Sequence, residues 1–142
     1  MPFEGDSVGI DPGDPAAIRI EGRILDGAGE PVTDALVEAW SGKQLARCST
    51  DSEGVYHVVL RRPEPSTGSA PHLEFTIFAR GLLRHVVTRI YFADEPAANA
   101  EDPALQQVES SRRGTLIAEL QGPSFHFDVR LQGCAETVFF EL

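Results

Sequence analysis

Apolar and polar residues alternate with a period of two through most of the chain. In "AIRIEGRILD" Ile18, Ile20 and Ile24 fall on one face of an extended segment, "GAGEP" supplies a turn, and "ALVEAW" opens a second strand. "LARCST" leads to the turn "DSEG", and "VYHVVLRR" is expected to return as a hairpin partner. The proline- and glycine-rich "PEPSTGSAP" cannot form a central strand. Beyond it, "HLEFTIFA" and "HVVTRIYF" predict two strands joined by "RGLLR". In "EDPALQQVESSRR", Asp102 followed by Pro103 predicts the start of one short helix, because proline at the first helical position gives up only an amide that has no helical acceptor. "TLIAEL", "SFHFDVRL" and "ETVFFEL" then predict strands, the second with Phe125, Phe127, Val129 and Leu131 on one face.

Many short strands with a single helix predict an all-β fold, an antiparallel β-sandwich rather than alternating α/β. Residues 1–16, rich in proline, glycine and acidic side chains without apolar periodicity, read as an N-terminal arm that is ordered only if something holds it. Residues 17–142 read as the sandwich domain. There is no internal repeat.

Composition narrows the partners. The 142 residues suffice for one core. A formal net charge of -10 argues against a nucleic-acid backbone or an anionic membrane, since either would be repelled over much of the surface. No apolar run is long enough to span a bilayer, and "MPFEGDSVGIDPGDP" lacks the features of a secretory signal, so the expected address is cytoplasmic. Cys48 and Cys134 are too few for a disulfide framework and read as buried free thiols of a reducing compartment.

The stretch "PHLEF" carries the candidate chemistry. Side chains two apart on a strand share a face, so His72 and Glu74 present a nitrogen and an oxygen together while Leu73 and Phe75 enter the core. Such a pair resembles the beginning of a metal site.

Two longer stretches carry resemblances. "IRIEGRILDGAGEPVTDALVEAW" with "TDSEGVYHV" is similar to the opening of transthyretin-like sandwiches, an architecture that non-catalytic binding modules share. The phrases "FARGLL", "TRIYF", "FDVRLQG" and "ETVFF" are more specific, and from about Ile18 to Leu142 the chain resembles the alpha-chain family of protocatechuate 3,4-dioxygenases, within the aromatic-ring intradiol dioxygenases. The resemblance implies an αβ enzyme whose beta chain binds Fe(III) and which inserts both atoms of O2 into a small aromatic acid. It also implies that this chain is inactive alone.

In catalytic chains of that family the stretch equivalent to "PHLEF" carries a His-x-His pair, and two upstream tyrosines complete the iron site. Here His72 falls on the first histidine and Glu74 replaces the second. "RRPEPSTGSA" and "SGKQLAR", where the tyrosines belong, contain none; Tyr56 and Tyr91 lie elsewhere. The resemblance therefore makes His72 and Glu74 vestigial metal-site positions and predicts no metal and no catalytic residue on this chain.

It also places Arg80, in "FARG", on the alpha-chain side of the partner's pocket, where a guanidinium suits an anionic substrate. Arg84 and Arg89 read as ordinary sheet or interface charges, and His57, His85 and His126 as structural. The family's usual N-terminal segment with Gln-Thr-x-Gly-Pro has no counterpart, so the chain is expected to begin late, by truncation or divergence. A non-catalytic transthyretin-like binding module is the second reading.

Overall fold

The computed structural model describes residues 7–8, 15–42, 44–64, 68–79, 85–131 and 136–140, the first pair by backbone alone. Its strands are β1 (Ser7–Val8), β2 (Ala17–Leu25), β3 (Leu36–Ser41), β4 (Gln44–Ser49), β5 (Val55–Arg61), β6 (His72–Phe78), β7 (Val86–Phe92), β8 (Ile117–Gln121), β9 (Ser124–His126) and β10 (Val129–Arg130). They form one ten-stranded path, ordered β1-β4-β3-β6-β7-β8-β9-β2-β10 with β5 on β2. The pairings of β7 with β8 and of β2 with β9 and β10 are parallel; the others are antiparallel. The path curls around one main core to which Ile20, Val37, Val58, Phe75 and Ile90 contribute from five different strands, joined by Phe92 and Phe127.

Sequence pattern explains most of this. Along β6, Leu73, Phe75 and Ile77 are fully buried while His72, Glu74 and Thr76 alternate outward. Along β2, Ile20, Gly22 and Ile24 face inward. Gly22 is required by close approach, since a Cβ there would lie 1.9 Å from the Phe127 carbonyl oxygen. The turn before β3 is pinned by Asp26, whose carboxylate accepts from the amides of Ala28 and Glu30, and the turn before β5 by Asp51, which accepts from the amides of Glu53 and Val55.

Several expectations need correction. "VYHVVLRR" does not form a hairpin with "LARCST": β5 pairs with β2 from Ala17↔Arg61 to Arg23↔Val55, and β4 pairs with β3 and β1. The turn at Asp51 carries the chain across the core instead of folding it back within one ladder. Asp102 does cap a helix, α2 (Pro103–Gln106), its side chain accepting from the Leu105 amide with Pro103 in the first turn. The region holds more than one helix, however: α1 (Pro96–Glu101) precedes it and a 3₁₀ segment, Ser110–Leu116, follows and takes in the first two residues of "TLIAEL". "SFHFDVRL" breaks at Phe127 and Asp128, where the Asp128 carboxylate accepts from the Arg23 amide and interrupts the ladder. "ETVFFEL" is not a strand in its described part and makes one isolated bridge, Val87↔Phe140. Cys48 is a buried free thiol, and Cys134 lies outside the described residues. Among the described residues no helix is long and apolar enough to cross a membrane.

Candidate active site

The outward face of β6 forms a wall of a cavity of about 890 Å³. Its register sets the neighbours: Glu74 stands between Trp40 on β3 and Arg89 on β7, and His72 lies opposite Tyr91. Trp40, Gln44, Arg62, His72, Glu74 and His85 all line the space. Sequence analysis placed His72 and Glu74 together, and they are together. Trp40 and Arg62 join them only through long-range packing that no local motif announces.

His72 is oriented from behind. Its Nδ1 lies 2.8 Å from the Ala70 carbonyl oxygen. A carbonyl only accepts, so Nδ1 carries the hydrogen and Nε2 keeps the lone pair when the ring is neutral. Ala70 is itself fixed by Asp102, which is almost wholly buried and accepts from the Ala70 amide (2.9 Å), the Leu105 amide (2.9 Å) and the Tyr91 hydroxyl (3.0 Å). Burial pushes the Asp102 carboxyl up, but the two amides, the phenol and the nearby His72 together outweigh it and hold the group below the ordinary carboxylate range.

Arg62 is committed too. Its guanidinium bonds Asp94 and Glu95 and lies 5.0 Å from the centroid of the Phe92 ring. Arg89 donates to the Tyr91 hydroxyl at 3.1 Å and lies 5.3 Å from the Phe140 centroid, so it turns away from its strand neighbour Glu74. It is a charge of the sheet, held by the Tyr91 hydroxyl and the Phe140 ring. Glu74 is exposed, with no hydrogen-bond or ion-pair partner among the described residues.

These groups do not fit a ferric ion held by phenolates. The Tyr56 hydroxyl is buried in the core and donates to the Phe127 carbonyl, and burial, helped by the Asp128 charge, pushes its phenol well above the ordinary value. The Tyr91 hydroxyl is held by Asp102 and Arg89, and burial raises it as well. Both shifts oppose the phenolate form a hard metal needs. Among the described residues no three His, Cys, Asp or Glu side chains form a group able to hold a metal.

Of the other sequence candidates, His85 lines the cavity with its ring 5.1 Å from that of Phe78. His126 lies 3.1 Å from the Asp128 carboxylate on another part of the sheet. Arg80 and Arg84 lie outside the described residues.

Comparison with known proteins fits this geometry. The chain is 36% identical to the protocatechuate 3,4-dioxygenase alpha chain of Burkholderia cepacia, over 88% of this chain and 77% of that one. It is 34% identical to the alpha chain from Pseudomonas putida, over 87% and 75%. Among solved structures, catechol 1,2-dioxygenase from Pseudomonas arvilla C-1 superposes with a TM-score of 0.61 at 26% identity, covering 92% of this chain and 55% of that one. The dioxygenase domain of a carbohydrate-binding fusion protein from Streptomyces sp. SirexAA-E superposes with a TM-score of 0.69 at 19% identity, over 88% and 86%. No family model matches the chain. The fold is that of the intradiol ring-cleavage dioxygenases. Within that class the chain belongs to the protocatechuate 3,4-dioxygenase alpha-chain family.

Proposed function

We propose that the chain is the non-iron alpha subunit of a cytoplasmic protocatechuate 3,4-dioxygenase and helps form the substrate pocket against a beta chain that holds Fe(III). The reaction breaks the bond between the two hydroxylated ring carbons and adds both atoms of one O2, giving 3-carboxy-cis,cis-muconate without an external reductant. The partner's iron supplies the redox chemistry.

This chain's task is to wall the pocket and orient the acid. Arg80 is the residue assigned to that task, its guanidinium facing the substrate carboxylate or the developing catecholate charge. A sandwich of the transthyretin-like type is the architecture that goes with this reading.

The observation that carries the proposal is the match to alpha chains over 88% of the sequence. It is supported by a histidine-glutamate pair where catalytic chains have two histidines, and by two phenols committed to internal hydrogen bonds. Co-expression with a beta chain bearing both tyrosines and the His-x-His pair tests it. A stable complex that consumes O2 with protocatechuate is expected, and failure of the two chains to associate would count against it.

A further inference from the structure

The unengaged groups around the cavity differ in kind from the engaged ones. The Arg62 guanidinium is neutralised by Asp94 and Glu95 and covered by the Phe92 ring. Both ends of the Gln44 amide are occupied by the Arg61 backbone, at 2.7 and 3.1 Å. By contrast, His72 Nε2 keeps a lone pair when the ring is neutral, and the Glu74 carboxylate has no partner among the described residues. Glu64 adds a second exposed carboxylate to the lining, and Arg61 stands exposed at the rim. Among the described lining residues, the charges left without a partner are therefore the carboxylates of Glu74 and Glu64.

Trp40 gives that charge a companion. It is directly opposite Glu74 across the β3–β6 ladder, so the two side chains are neighbours on one face. Its ring lines the cavity and is 43% exposed, an unusual state for the largest apolar side chain. An accessible indole beside a carboxylate attracts a positive group twice, through the face of the ring and through direct Coulomb attraction. An anion meets neither.

We propose that this cavity is a binding site for a small organic cation, an alkyl ammonium or guanidinium, with its charge at Glu74, its chain along Trp40 and a donor hydrogen available to His72. The space, about 890 Å³, accepts a molecule of this size readily. The net charge of -10 draws cations toward the whole chain and favours the same choice. The site needs no metal and stands independently of the dioxygenase reading.

The test uses the full chain and agmatine as the probe, with benzoate as the anionic counterpart. Trp40 is the only tryptophan, so its emission reports the cavity directly, and calorimetry on the same samples covers binding that leaves emission unchanged. Agmatine should give a saturable response that weakens with added salt and is lost by roughly tenfold or more in Glu74→Gln. Glu53→Gln, on the exposed turn before β5, should bind as the parent does, and equal urea midpoints for all three chains establish that the fold is unchanged. Saturation by benzoate and not agmatine would overturn the proposal. So would equal agmatine binding by parent and Glu74→Gln, or no heat and no emission change with agmatine.

Discussion

The Tyr91 hydroxyl donates to Asp102 Oδ1 at 3.0 Å and ties β7 to the start of α2. Through its other oxygen Asp102 also holds the Ala70 amide, and Ala70 in turn orients His72, so one buried carboxylate joins helix, sheet and cavity wall.

Replacing that carboxylate is expected to be costly. Asp102→Asn puts an amide donor against one of the Ala70, Leu105 and Tyr91 donors and should lower stability by roughly 2 kcal/mol, read from urea unfolding near neutral pH. The folded carboxyl sits below its unfolded value of about 3.9, so its contribution is complete above that pH and fades as pH falls through the folded value. The gap between parent and variant should therefore narrow below about pH 4. A gap that is constant with pH would contradict the assigned role.

Gly22→Ala tests the close approach of β2 to Phe127. The new Cβ would meet backbone, which cannot rotate away, and the shift would disturb the carbonyl that accepts from Tyr56. A loss of about 2 kcal/mol or more is expected in the same unfolding assay. Unchanged stability would show that β2 and the segment after β9 lie further apart.

Arg80→Ala is examined in the assembled αβ enzyme. Losing one charge-assisted hydrogen bond to the substrate corresponds to roughly a ten- to hundredfold fall in kcat/KM, with complex formation and iron content unchanged. The fall should shrink for catechol, which lacks the carboxylate, if the guanidinium acts on that group. Arg84→Ala serves as the control, and near-normal rates for both variants would remove Arg80 from the pocket.

Legibility followed the range of the interaction. The faces of β6 were readable because "HLEFTIF" alternates strictly, and the Asp102 cap because Asp-Pro before a short apolar run is a local signal. The partner of β5 was not. An Asp-Gly turn serves equally to close a hairpin or to carry the chain across the core, and only the fit of Val58 and Leu60 with Ile18 and Ile20 on β2 decides between them. The same limit applies to the site: His72 and Glu74 are two residues apart, whereas Asp102 reaches Ala70 across 32 residues and Arg62 reaches Asp94 across the same distance. "ETVFFEL" has strand composition, but its backbone bonds scattered partners, Arg130, Thr115, Thr88 and Val87, instead of one continuous ladder.

The central claim is that this chain works without its own iron beside a partner that has it. Counting iron and oxygen in the purified αβ complex tests this most directly. The account predicts one iron per αβ pair, none on this chain alone, and one O2 consumed per protocatechuate. Two irons per pair, or one tightly held iron on this chain alone, would contradict it.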